Sequence, residues 1–203
     1  GTTTVAEGTL VAGKIAVSSG NSSLGNATGE IVLGGPNASG TLRYTGNSAT
    51  YTRGFTIAAG GGAFEVANAG QTVTIQTGNV SANGNFTIGG DGNTTINSVI
   101  SGAGGLAKVG NGTLTLNNVN TYTGITTLAG GALSIAASGA LGNESAAVSF
   151  DGGTLLTTAS FTASRATTLG DSGGSFNTAD GTTLTWNGDI SGTGALAKLG
   201  AGT

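Results

Sequence analysis

The residues of this chain best suited to chemistry are its nine carboxylates: Glu7, Glu30, Glu65, Asp91, Glu144, Asp151, Asp171, Asp180 and Asp189. Cleaving a glycosidic bond needs two such groups a few ångströms apart, one as acid and one as base or nucleophile. Asp151, Asp171, Asp180 and Asp189 are the set that successive coils of a repetitive fold would bring together. Each of the four adjoins a glycine, however, and Asp beside Gly is the chemistry of a turn. The expectation is turn formation. Histidine and cysteine are absent, so Ser–His–Asp, Cys–His and other thiolate mechanisms are excluded. No catalytic residue is assigned.

Metal and cofactor sites fare no better. Residues 89–93 (GGDGN) are similar to one turn of the calcium-binding Gly-Gly-x-Gly-x-Asp nonapeptide, but the pattern occurs once and out of register, as an ordinary glycine turn does. Gly102 to Gly105 lacks the helix that a phosphate loop must open. No cofactor and no metal ligand is therefore expected. Six dispersed cations (Lys14, Lys108, Lys198, Arg43, Arg53, Arg165) and a net charge of −3 cannot make the basic face that nucleic acid requires. Lys108 and Lys198 stand at equivalent places in two related stretches. They read as solvated cations that discourage edge-to-edge strand pairing, the alternative being a recurring contact to an acidic partner. Tyr44, Tyr51, Tyr122 and Trp186 form a candidate sugar-stacking platform, although Trp186 alternates in phase with Leu184 as a core residue would. Asn-x-Ser/Thr triplets at Asn21, Asn26, Asn79, Asn85 and Asn93 arise by chance in a chain so rich in Asn and Thr.

The elements that must position these residues are strands. Segments such as Thr113 to Val119 (TLTLNNV), Gln71 to Gln76 (QTVTIQ), Asn85 to Ile88 and Thr182 to Trp186 alternate apolar with hydroxyl or amide residues. Period two puts Leu114 with Leu116, and Val73 with Ile75, on one face. Glycine, asparagine, aspartate and serine clusters punctuate them at short intervals. Glycine makes up 41 of 203 residues without a Gly-X-Y period, charged residues are 7%, and there is one proline. That composition excludes collagen and ordinary disorder. No run of 18 apolar residues exists to span a bilayer as a helix. One short helical turn is expected in the alanine-rich stretch from Leu128 to Leu141. Gly1 reads as a processed or truncated start.

Self-similarity then selects among β architectures. Residues 190–203 (ISGTGALAKLGAGT) repeat residues 100–113 (ISGAGGLAKVGNGT), and residues 1–10 (GTTTVAEGTL) match 124–133 (GITTLAGGAL). Looser matches join the two halves: Ser23-Leu24-Gly25-Asn26 with Ala140-Leu141-Gly142-Asn143, Gly40-Thr41-Leu42 with Gly153-Thr154-Leu155, and Arg53 with Arg165. The pattern predicts an all-β parallel β-helix (β-solenoid) of about 8–11 coils at roughly 18–25 residues each. Residues 1–203 form a single segment cut from a longer array, with repeat cores near 100–133 and 190–203 and a partial repeat tail at 1–10. Asn111, Asn117 and Asn118 are placed to form amide ladders between coils. Like charges on successive coils would lie only about 4.8 Å apart, which accounts for their scarcity. The competing architecture is a sandwich or meander, with hairpins at Asn83-Gly84, Asp151-Gly152, Asp180-Gly181 and Asn187-Gly188.

The 100–133 stretch resembles the passenger-associated transport repeat of bacterial autotransporters. The likeness is carried by Gly102, Gly104, Leu106, Lys108, Gly110, Gly112, Thr113, Leu114 and Leu116, then Asn120, Tyr122, Gly124, Thr126, Gly131 and Leu133. Residues 36–90 depart from the pattern. The resemblance implies a β-helical passenger at the cell surface or outside the cell, carried across a Gram-negative outer membrane by its own C-terminal barrel. Passengers of that family include adhesins, autoaggregation proteins, proteases and esterases; with no catalytic residue assigned, the expectation is a non-enzymatic adhesin or structural stalk whose partners are a host or neighbouring-cell surface, or further copies joined by coil stacking. The alternatives are a self-assembling extracellular filament or matrix protein and a glycan-active β-helix enzyme, since fold alone does not choose the activity.

Overall fold

The computed structural model describes residues 2–15, 22–25 and 29–203. Period-two alternation becomes strand throughout, and every strand pairing is parallel. A parallel pair needs a crossover between its strands, and here the crossover is the rest of the coil. Three sheets form the faces of a prism. The first sheet stacks Thr4–Val5, Ile31–Leu33, Phe55–Ile57, Val80–Ala82 and Ile100–Ser101. The second, nine strands deep, runs Gly8–Ala12, Gly40–Tyr44, Gly62–Val66, Phe86–Gly89, Leu106–Lys108, Thr126–Leu128, Val148–Phe150, Thr167–Leu169 and Ile190–Gly192. The third stacks Ala49–Tyr51, Thr72–Ile75, Asn93–Ile96, Thr113–Leu116, Ala132–Ile135, Thr154–Thr157, Gly174–Thr178 and Leu196–Leu199. The protein is a β-solenoid of about eight turns.

Coil length follows the sequence directly. Phe86 lies beside Leu106 and Leu106 beside Thr126, so the central coils repeat every 20 residues, the separation at which their side-chain ladders also bond. Elsewhere the step varies, as from Gly62 to Phe86 or from Val148 to Thr167, because turns change length while strands do not. The first face is interrupted after Ile100–Ser101: one coil crosses it without a strand, and the next crosses it as a single helical turn, Ser138–Leu141. This is the short turn expected in the alanine-rich stretch. Phe161–Ala163 and Leu184–Trp186 then resume the face as a separate pair.

Inward residues align in register and fill the prism. One ladder runs Val73, Thr94, Leu114, Leu133, Leu155, Phe176, and a second runs Tyr51, Ile75, Ile96, Leu116, Ile135. Aromatic rings cluster around Phe55, which stands 5.0 Å from Tyr51, 5.3 Å from Phe64 and 5.9 Å from Phe86, centroid to centroid. Each such ring contributes about 1.5–3 kcal/mol by burial. Trp186 packs half-buried on Phe176 at 5.0 Å, which makes it a core residue.

The four hairpin dipeptides do not make hairpins. Asp151-Gly152 and Asp180-Gly181 do turn the chain through glycines of positive φ (105° and 72°), but they link faces of a coil. At Asn187-Gly188 the glycine is needed for contact instead, because a Cβ there would overlap the Arg165 carbonyl oxygen of the coil below. Of the Asn-x-Ser/Thr triplets, Asn21 and Asn26 lie outside the described residues, as does Gly1.

Candidate functional site

Lys108 points inward. In Leu106–Lys108 it is in phase with Leu106, and the register places it in the ladder Leu42, Phe64, Ile88, Lys108, Leu128, Phe150, Leu169. It is 2% exposed, so the reading as a solvated cation is overturned. The four-carbon stem fills an aliphatic slot, and the ammonium reaches the turn after its own strand. There Nζ donates to the Val109 and Gly110 carbonyls (2.6 and 3.0 Å) and to Gly130 of the next coil (3.4 Å). Burial holds its pKa down at about 8. Lys198 repeats the geometry in Leu196–Leu199, donating to the carbonyls of Leu199, Gly200 and Gly202 at 2.7, 3.2 and 2.7 Å, though in an exposed setting. A lysine so held is a clamp on turn carbonyls that have no strand partner.

Asn120 does comparable work where the first face has no strand. Its carboxamide carries one carbonyl and one amino group, as a peptide does. Oδ1 accepts from the Ile100 N–H (2.8 Å) of the coil below, and Nδ2 donates to the Ala140 carbonyl (2.7 Å) of the coil above. Its own N–H donates to Gly139 (2.9 Å). The side chain thus replaces the missing strand in the ladder. Two residues on, Tyr122 fills the widened core with no exposed surface. Its hydroxyl lies 2.6 Å from the Thr126 Oγ1, which donates to the Leu141 carbonyl (3.3 Å). Burial pushes the phenol up to about 12.

Arg165 completes this cluster from the following coil. Its guanidinium, 2% exposed, makes no salt bridge and donates to the carbonyls of Leu141, Asn143, Ala146, Ser138 and Gly142 at 2.6–3.3 Å, with a long bond from Nε to the Ser138 hydroxyl. These are the free carbonyls that end the helical turn and the bulge behind it. Burial lowers its pKa. Arg53 holds the N-terminal counterpart: Nε donates to Gly29 (2.7 Å) and Nη1 to Leu24 (3.3 Å), while the Thr3 hydroxyl also donates to Leu24 (2.8 Å). Thr3 and Arg53 therefore meet on the Leu24 carbonyl as Thr126 and Arg165 meet on that of Leu141. The matching positions were visible in the sequence; their common carbonyl was not.

The remaining candidates separate cleanly. Tyr44, Tyr51 and Tyr122 are buried, so they offer no sugar platform. Asp151 accepts from the Ser172 N–H (3.1 Å) and Asp171 from the Thr193 hydroxyl (2.7 Å), each tying its turn to a neighbouring coil as expected of turn residues. No group of three or more His, Cys, Asp or Glu stands close enough to hold a metal among the described residues. The amide ladder is real: Gln76, Asn97 and Asn117 bond in series at 2.8 and 2.7 Å, Asn111 bonds Asp91, and Asn118 bonds the Asn97 carbonyl. Asn85 and Asn93 accept from the Gly105 and Thr113 N–H groups, joining coils in the same way. Beside the ladder, Leu116, Asn117, Asn118, Val119, Ala136, Ala137 and Ala140 line a shallow groove of about 90 Å³.

Residues 106–135 match the family model described as Passenger-associated-transport-repeat. The chain is also similar to a protein of Brucella suis biovar 1 (strain 1330) named Adhesin BmaC autotransporter, with 41% identity over 129 residues. That match covers 64% of this chain and 4% of the relative. No solved structure matches. Both comparisons bear out the resemblance read in the stretch from Gly102 to Leu133.

Proposed function

We propose that this chain is one β-solenoid segment of a longer extracellular passenger, working as an adhesive or load-bearing rod on a Gram-negative cell surface. The observation that carries the reading is what the repeat's side chains do. Lys108, Asn120 and Thr126 bond coil to coil and Tyr122 holds Thr126 in place, and none is directed at a ligand or at a reacting bond. They make a stiff rod from a sequence with almost no charge. We read the role as non-enzymatic, in keeping with a relative named as an adhesin, and the cargo path as a C-terminal outer-membrane barrel. Each new coil finds its hydrogen-bond partners on the coil already folded, so folding outside the membrane proceeds stepwise and opposes back-sliding of the chain. The contacts belong to the outward faces and to the bulges that interrupt them, and the partner is a host or neighbouring-cell surface.

The test is fractionation of cells that make the full-length protein, with protease shaving of intact cells and a binding assay to host-cell monolayers. Support is a heavy band in the outer-membrane fraction, trimmed on intact cells, together with binding lost on deletion of this segment. A soluble cytoplasmic band, or binding unchanged by the deletion, overturns the reading.

A further inference from the structure

The two internal repeats of this chain do not stack in line. In residues 100–113, Ile100–Ser101 lies in the first sheet and Leu106–Lys108 in the second. In the copy, Ile190–Gly192 lies in the second sheet and Leu196–Leu199 in the third. Matching motifs are displaced by one face of the prism. The longer repeat shows the same displacement. Ile31–Leu33, Gly40–Tyr44, Phe55–Ile57 and Gly62–Val66 occupy the first, second, first and second sheets. Their counterparts Val148–Phe150, Thr154–Thr157, Thr167–Leu169 and Gly174–Thr178 occupy the second, third, second and third. Inward residues follow suit, Leu42 corresponding to Leu155 and Phe64 to Phe176.

The bulges move with the strands. Leu24 and Gly29, held by Arg53, belong to the connection from Gly8–Ala12 in the second sheet to Ile31–Leu33 in the first. Residues 136–147, held by Arg165, run from Ala132–Ile135 in the third sheet to Val148–Phe150 in the second, in place of a first-sheet strand. The residues held by Arg53 thus follow a second-sheet strand, and those held by Arg165 a third-sheet strand, one face later in chain order.

From this we propose that the repeat unit is a whole number of coils plus one face, so that successive Arg-held bulges are displayed a third of a turn apart around the rod. A repeat of whole coils would put every bulge on one edge and fit a single flat partner. A repeat out of step with the coil presents contact elements on several sides, which suits bridging between partners. The second bulge exposes Asn143, Glu144 and Ser145 with Ala136 and Ala137, one charge among amide, hydroxyl and methyl groups. That surface fits a neutral, hydrogen-bonding partner better than a polyanion. The inference rests on the adhesive reading only for what the bulges contact.

The test is made in the full-length protein, with cysteines introduced in pairs into this segment, which has none of its own. Ser175 and Ala197 are neighbours in the third sheet, and Thr168 and Ser191 in the second, so S175C/A197C and T168C/S191C should each close a disulfide on oxidation. T168C/A197C should stay reduced, because its residues lie on different faces. Fab fragments raised against each bulge should point in directions a third of a turn apart in particle images. Cross-linking of T168C/A197C, or Fabs projecting from one edge, overturns the proposal. Fabs projecting apart without any loss of host-cell binding would uphold the geometry and sink the adhesive reading instead.

Discussion

Replacing Lys108 by methionine removes a buried ammonium while keeping most of the aliphatic stem, and the consequence is readable in the pH dependence of stability. In the unfolded chain the lysine titrates near 10.5, and in the fold near 8. Below pH 8 both states hold the proton and the group contributes no slope. Between pH 8 and about 10 the unfolded chain binds the proton and the fold does not, so stability rises with pH. A full shift of this size corresponds to about 3 kcal/mol, and solvent screening with the three carbonyl contacts leaves about 1–2 kcal/mol. Above pH 10 the sign reverses. Burial raises the phenols of Tyr44, Tyr51 and Tyr122, so the unfolded chain ionises first and stability falls. Urea denaturation followed by far-ultraviolet circular dichroism at pH 7, 8, 9, 10 and 11 should show a maximum between pH 9 and 10. Lys108→Met should be flat from pH 7 to 10 and then fall in parallel with the parent. Lys14 and Lys198 are common to both proteins, so the difference curve isolates Lys108. Parallel curves across the whole range would refute the argument.

Four further substitutions probe the same framework. Arg165→Met strands at least five carbonyl acceptors and should cost about 3 kcal/mol or more, with limited proteolysis cutting first within residues 136–147. Asn120→Asp keeps the acceptor for the Ile100 N–H but sets a carboxylate against the Ala140 carbonyl, and should lower stability by about 2–3 kcal/mol in the same urea assay. Tyr122→Phe removes only the bond to Thr126 and should cost about 1 kcal/mol, with hydrogen exchange rising near Leu141. Gly112→Ala drives a methyl group into the Gly92 carbonyl of the coil below and should cost about 1–3 kcal/mol, seen as a lowered urea midpoint.

Strand periodicity, repeat structure and amide ladders were legible in the sequence because each is a local pattern repeated. TLTL must put both leucines on one face, and Asn117 twenty residues after Asn97 must lie above it once coils repeat every 20. Lys108 was misread because charge was weighed above phase. Leu106-Ala107-Lys108 alternates, and the lysine occupies the inward position of that alternation, a signal that outranked its chemistry. Tyr122 was misplaced for the opposite reason: Asn120-x-Tyr122-x-Gly124 forms no strand, so alternation gave no direction, and the ring's burial follows from the width of coils above and below. The roles of Arg53 and Arg165 were not legible, because five of the partners of Arg165 are backbone carbonyls, which every residue owns. Nor was the displacement of the repeats by one face. An offset of 90 residues from Ile100 to Ile190 says nothing of faces until the lengths of the intervening coils are known.

The choice of carbonyls over carboxylates as partners for buried cations has a physical logic in this fold. A carboxylate facing Lys108 or Arg165 would have to be taken out of water with its partner, and the desolvation of two charges offsets much of their attraction. Turn carbonyls carry no net charge and are present in every coil whatever its sequence. They are also the groups left unpaired where a strand ends or a face is interrupted. One cation can therefore close a turn, satisfy several acceptors and leave the neighbouring coils free to vary in side chain and length. The exposed pair Arg43–Glu65, 3.6 Å apart, is the one side-chain ion pair among the described residues. It lies on the outer surface of the second sheet, where water screens it and little stability follows. Coils locked through their backbones tolerate bulges of different length between them, and it is in the bulges and outer faces that an extended surface protein can change what it touches without altering how it stands.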